Sequence, residues 1–278
     1  MKTKRNEVRM MKELEKDQIR NTVRENYKTV ALKVNKGSSC CAPSCCSPEE
    51  NLDVQLTELS TKLGYSEEEL SFVPQGANMG LGCGNPQAIA NLKEGEVVLD
   101  LGSGGGFDCF LASRKIGETG LAIGVDMTPE MVSKARANAE KHNYKNVEFR
   151  LGEIEHLPVS NDSVDVIISN CVINLSPDKQ QVFNEAFRVL HSGGRLALSD
   201  IVLTAELPED IQKDLRFYSG CISGASYIDH LKDYLEKAGF ESIRIESKDE
   251  SKEFIKDWAP GTSVDEYIVS AVIEAIKP

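Results

Sequence analysis

A doubly wound, mostly parallel seven-stranded α/β sheet is the fold this sequence predicts. Two patterns predict it. Between residues 96 and 200, short runs rich in valine, isoleucine and leucine alternate with stretches of helical period. Between the first such run and the first helix stands Asp100-Leu-Gly-Ser-Gly-Gly-Gly106, a strand-to-helix turn built of small residues. Parallel strands joined by helices cross over in one hand, which puts helices on both faces of the sheet and ligands at the carboxyl ends of the strands.

The elements follow in order. In the basic leader, Ile19, Val23, Tyr27, Val30, Ala31 and Val34 form one apolar stripe, which predicts a docking helix over 17–34. Residues 36–48 hold two cysteine doublets, Cys40-Cys41 and Cys45-Cys46, in a Gly/Ser/Pro context that reads as a loop. Helical turns resume from Pro48, and Ser66-Glu-Glu-Glu69 is a capping-box pattern. A turn-rich stretch over 75–86 leads into the sheet. Strands are expected over 96–101, 121–126, 147–151, 164–169 and 195–200. Helices are expected over 106–117, from Thr128-Pro129 to His142, and over 178–190, the last closed by Ser192-Gly193-Gly194. Further helices over 208–218 and 226–238 and strands over 242–247 and 267–276 complete the chain.

The glycine loop faces a helix N-terminus, where backbone N–H groups can meet a ligand. Asp126, at the end of the second strand, stands where a carboxylate can accept hydrogen bonds from ribose hydroxyls. A dinucleotide site would want G-x-G-x-x-G, yet counting from Gly102 and Gly104 the third glycine is replaced by Phe107. Asp100, just ahead of the glycines, would repel a diphosphate and suits a cationic cofactor. This segment resembles the E/DxGxGxG motif of the Rossmann-like class I methyltransferases, and Gly152-Glu-Ile-Glu-His-Leu-Pro158 resembles their adenine-side motif. The resemblance implies S-adenosyl-L-methionine as cofactor. Asp100, Gly102, Ser103 and Gly104 would border its methionine portion, Asp126 its ribose, and Met127, Glu153 and Ile154 its adenine. Asn170, just past the fourth strand, is a candidate for the methyl-transfer end.

Eight cysteines without a secretory signal argue against a disulfide framework and leave redox chemistry, soft-metal ligation or burial. Cys83 and Cys221 lie in Gly/Ser contexts, Cys171 follows the fourth strand, and Cys109 sits inside a helix as a packing residue. With Val172-Ile-Asn-Leu-Ser-Pro-Asp-Lys-Gln-Gln181, these contexts resemble the arsenite methyltransferases over about residues 80–240. The resemblance implies that Cys83, Cys171 and Cys221 bind trivalent arsenic, with Cys45 or Cys46 as redox partner. It also implies an external thiol reductant of thioredoxin or glutathione type. Three soft sulfurs suit a soft trigonal centre and leave its lone pair free. Two departures stand out: Leu81 occupies a position where the family carries tyrosine, and the C-terminal domain of longer relatives is not expected. A zinc knuckle on the doublets would need a second matching pair.

The division expected is a leader and cysteine-rich loop over 1–47, a cofactor-binding domain over 48–204, and substrate-side helices with the last strands over 205–278. Net charge is −12, yet residues 1–36 carry 11 Lys and Arg against 5 Asp and Glu. The acidic body argues against nucleic acid, and the lack of a long apolar run argues against a membrane span. A cytoplasmic protein is therefore expected, and the resemblance implies an enzyme acting on a small molecule, arsenite or its thiol conjugates, with a thiol-reductant protein as partner. No Ser/His/Asp set declares itself, and His142, His156, His191 and His230 read as surface or packing residues. The alternatives are a methyltransferase for an organic small molecule and a non-catalytic thiol-rich metalloid binder.

Overall fold

The computed structural model describes residues 2–33, 50–259 and 261–278, with side chains over 14–32, 55–259 and 261–278. The opening helix α1 (Lys2–Lys33) is longer than its stripe predicts, and it docks as expected: Val23 and Ala31 are buried, and Ile19 and Tyr27 pack with the same cluster as Val23. Val34 and the doublets Cys40, Cys41, Cys45 and Cys46 lie outside the described residues. The helices α2 (Glu50–Lys62), α3 (Glu67–Ser71) and α4 (Gln87–Ala90) lead into the sheet. The capping box at α3 forms in both directions, Glu69 N–H donating to Ser66 Oγ at 3.2 Å and Ser66 N–H to the Glu69 carboxylate at 3.0 Å.

The alternating core is β1 (Val97–Leu101), α5 (Phe107–Lys115), β2 (Leu121–Asp126), α6 (Pro129–Lys141), β3 (Val147–Leu151), β4 (Val164–Asn170), α7 (Lys179–Val189) and β5 (Leu190–Leu203). There follow α8 (Glu209–Lys213), α9 (Leu215–Ser219), β6 (Ser226–Tyr227), α10 (Ile228–Ala238), β7 (Glu241–Lys248), α11 (Lys252–Ile255) and β8 (Ile268–Ile276). Seven strands lie in the order β3-β2-β1-β4-β5-β8-β7, and the two-residue β6 pairs with β5 off that path. β1 is central, parallel to β2 and β4; β8 runs antiparallel between β5 and β7.

Successive strand residues face opposite layers. Val98 packs with Phe110, Ile116 and Val166 beneath α5 and α6, whereas its neighbour Leu99 packs with Ile167, Phe183 and Leu235 beneath α7 and α10. Leu99 is fully buried, so truncating it to alanine costs about 2–5 kcal/mol.

Three boundaries differ from the sequence expectation. Ser192-Gly193-Gly194 does not close α7: Leu190 already pairs with Val164, the register then shifts, and Gly193 and Gly194 exchange hydrogen bonds with Lys277. The glycines make a bulge inside a longer strand, because β8 runs alongside to hold them. The helix expected over 208–218 breaks at Asp214, whose extended backbone and side chain cap α9. The helix expected from Ser226 starts two residues later, since Ser226 and Tyr227 pair with Val202 and Leu203.

Among the described residues no helix is long and apolar enough to cross a membrane.

Candidate functional site

The carboxyl ends of β1, β2 and β4 open into one cleft of about 280 Å³, near the lower end of the size range for small-molecule pockets. Its floor is the glycine loop. Gly102 and Ser103 both donate to the Val125 carbonyl, at 2.7 and 3.0 Å, which folds the chain back over β2. Gly102 has φ of 72°, and a Cβ there would lie 2.5 Å from Val172. Only glycine meets both conditions.

Asp126 lines the cleft and is held by two backbone N–H groups, from Gly104 at 2.9 Å and Thr128 at 2.8 Å. Thr128 is the N-cap of α6 by position but makes no capping bond with its own side chain. Burial pushes the Asp126 carboxyl up, and those two donors pull it back. Asp100 is buried and accepts from the Cys109 thiol at 3.5 Å; burial and then the Asp108 charge hold its carboxyl well above the usual range. The Ser103 hydroxyl is buried and, among the described residues, has no hydrogen-bond partner.

Ile154 and Met127 line the cleft, whereas Glu153 does not. Its carboxylate pairs with Arg24 of α1 at 2.9 Å, and Arg20 lies 3.4 Å from the buried Glu155. Asn170 is a bracket: it donates to Tyr65 Oη and the Gly84 carbonyl at 3.1 and 2.7 Å and accepts from Cys83 N–H at 2.9 Å. The 80–85 loop is thereby tied to the end of β4.

Cys83, Cys171 and Cys221, from three distant segments, meet. All are buried, and Cys171 and Cys221 line the cleft while Cys83 lies behind them. The Cys221 thiol donates to the Cys171 carbonyl at 2.8 Å, and the Cys171 thiol has both other thiols as hydrogen-bonding neighbours. Burial first, then those thiols, push Cys171 well above its ordinary range; burial also raises Cys83. Cys171 and Cys221 both adopt left-handed backbone, φ 61° and 63°, a conformation that costs a non-glycine residue of order 1 kcal/mol or more. Cys109 packs in the core, as expected. The four histidines are exposed.

Sequence reasoning missed four groups. Asp200 of β5 has a carboxylate oxygen within 4.8 Å of the Cys83 and Cys171 sulfurs. Burial lifts its pKa to about 6, against donors from Ile201 and Asn174 and the charge of Lys179. Its place at the end of an expected strand was the signal. Tyr27 of α1 and Trp258 form other parts of the wall, and Tyr65 holds Asp108 at 2.8 Å. Burial raises the Tyr27 hydroxyl well above its usual range, and the Cys221, Cys171 and Asp126 groups add to this. The stripe that predicted the helix carried no hint that two of its residues, Tyr27 and Val30, line the cleft.

Residues 92–239 match the family described as "Methyltransferase domain". An arsenite methyltransferase of Halobacterium salinarum is 50% identical over 97% of this chain and 69% of its own length. The chain belongs to the arsenite methyltransferase family. The human arsenite methyltransferase is 43% identical over 59% of this chain, and the match spans only 46% of that protein. The crystal structure of an arsenic(III) S-adenosylmethionine methyltransferase from Chlamydomonas reinhardtii superposes with a TM-score of 0.59 at 31% identity, covering 80% of this chain and 73% of that one. A Haemonchus contortus phosphoethanolamine N-methyltransferase, 16% identical with a TM-score of 0.60, shares the fold. The expected class I architecture and S-adenosylmethionine dependence thus agree with the family.

Proposed function

We propose that this chain transfers methyl groups from S-adenosylmethionine to trivalent arsenic held by Cys83, Cys171 and Cys221. The observation that carries the reading is the meeting of Cys171 and Cys221 in the wall of the cleft that Asp100 and Asp126 also line. S-adenosylmethionine supplies a methyl group on a cationic sulfur. Asp100 and the buried Ser103 hydroxyl fit the polar amino-acid portion of such a ligand, and its positive charge would favour the ionised form of a carboxyl that burial and the Asp108 charge otherwise disfavour. Asp126, already aimed by two N–H donors, has oxygen lone pairs for ribose hydroxyls, with Ile154 and Met127 beside the base.

Arsenite loads by exchange: each buried thiol gives its proton to a departing arsenic hydroxyl, so three waters leave and no external base is needed. Three sulfurs then fix the arsenic and leave its lone pair as the nucleophile. The chain's contribution is proximity and orientation, with the Asn170 bracket holding the Cys83 loop in place. Methylation leaves arsenic pentavalent. Two thiols closing a disulfide, a role assigned to Cys45 or Cys46 with a partner cysteine, return two electrons; arsenic, trivalent again, drops one of its three sulfurs, and that thiolate takes one of the two protons while the other is released. An external dithiol or glutathione reopens the disulfide. These conditions suit the cytoplasm.

The test is incubation with methyl-labelled S-adenosylmethionine, arsenite and a thiol, followed by separation of arsenic species. Cys171→Ser should abolish labelled methylarsenicals while cofactor affinity stays within about twofold. An unlabelled arsenic pool with the wild-type chain, or full activity in Cys171→Ser, would transfer the reading to an organic acceptor.

A further inference from the structure

The sulfur cluster has a fourth polar member that the chemistry above leaves unused. One carboxylate oxygen of Asp200 and the sulfurs of Cys83 and Cys171 all lie within 4.8 Å of one another, and all three residues are buried. Asp200 is 2% exposed and takes its hydrogen bonds from neutral groups, Asn174 Nδ2 at 2.9 Å and the Ile201 N–H at 2.8 Å. A buried carboxylate without a cation in direct contact is costly to keep, and it points to a ligand.

We propose that Cys83, Cys171 and Asp200 form a second binding set, overlapping the first, for a thiophilic divalent cation of the zinc or cadmium type, which competes with trivalent arsenic for the two shared sulfurs. Charge separates the two sets. Three thiolates neutralise trivalent arsenic fully and leave a carboxylate nothing to do, whereas two thiolates and one carboxylate leave a divalent cation with a single negative charge. Lys179, whose field already reaches Asp200, offsets that charge. Binding displaces one proton from each of the two thiols, so two protons leave per cation. Geometry agrees: zinc–sulfur bonds of about 2.3 Å place tetrahedral ligand atoms about 3.8 Å apart, so the three atoms close by about 1 Å at most. A water completes the tetrahedron, and Cys221 keeps its bond to the Cys171 carbonyl.

The arsenic half of this competition rests on the reading under Proposed function; the cation half does not. The test uses the full chain carrying Cys40→Ser, Cys41→Ser, Cys45→Ser and Cys46→Ser, to remove other soft ligands. Cadmium chloride is followed by sulfur-to-cadmium absorbance and by proton release, and arsenite by the fluorescence of Trp258, the chain's one tryptophan, which lines the cleft. One cadmium should bind with two protons released and should displace arsenite. Asp200→Asn should weaken cadmium at least about tenfold with arsenite affinity within about twofold. Cys221→Ser should do the reverse. Cadmium affinity unchanged in Asp200→Asn, or lost equally in Cys221→Ser, overturns the cation set. Loss of both ligands in Asp200→Asn overturns it too, since the carboxylate would then shape the sulfurs without ligating. If Cys221→Ser keeps full arsenite affinity, the three-sulfur arsenic reading fails and the cation set stands.

Discussion

The thiol of Cys221 donates to the backbone carbonyl of Cys171 at 2.8 Å, across 50 residues of chain. This contact joins the end of β4 to the turn after α9 and closes one wall of the cleft. Both partners adopt left-handed backbone to make it. The glycine loop, the sulfur cluster and α1 therefore share one cavity.

Gly102→Ala forces a Cβ to within 2.5 Å of Val172 at a φ of 72°. We expect a stability loss of about 1–3 kcal/mol and weaker S-adenosylmethionine binding. Thermal unfolding and equilibrium dialysis measure the two; a variant as stable and as tight as the wild type would show that the loop is not held where it stands.

Asp200 sets a pH dependence. Its carboxyl rises from an ordinary 3.8 to about 6 because burial disfavours the charge, so between those values the native state binds more protons than the unfolded one. Stability should fall as pH rises through that window, by about 3 kcal/mol from this group. Asp100 and Asp126 shift the same way, so the comparison is with Asp200→Asn, whose stability should decline less from pH 4 to pH 7 in denaturant titrations.

Arg20→Ala removes the guanidinium beside the buried Glu155, which among the described residues then keeps only the Ser176 hydroxyl at 2.7 Å as a side-chain donor. The cost should be about 1–3 kcal/mol. Hydrogen exchange over residues 14–32 should speed up, and unchanged protection there would place the anchoring of α1 in its apolar stripe alone.

Tyr65→Phe deletes the hydroxyl that donates to Asp108 and accepts from Asn170. About 1–2 kcal/mol of stability should go, and the Asn170 bracket should slacken. Arsenite affinity, read by Trp258 fluorescence, should fall more than S-adenosylmethionine affinity; equal losses would mean a general loosening.

The sheet was legible because buried parallel strands write their length in β-branched runs: β2 and β3 match their expected spans. The bulge at Gly193 was not, because the glycines read as a helix stop until Lys277, 84 residues away, supplies partners. In the site, the glycine loop and three cysteines were legible from their local contexts. Asp200 was not, since a carboxylate on an ordinary strand acquires meaning only when two sulfurs from other segments arrive beside it. The pairing of Glu153 was hidden for a related reason. Its motif says nothing of Arg24, which comes from a helix 129 residues earlier and claims the carboxylate.

The left-handed backbone at Cys171 and Cys221 has a bearing on how such a chain can change over generations. At both positions the conformation by itself favours glycine, and one base separates a cysteine codon from a glycine codon. Discarding either thiol is thus the easy mutational direction, relieving torsional strain at the same stroke. At each position the main chain and the thiol therefore pull in opposite directions: glycine would ease the backbone, and only cysteine supplies the sulfur.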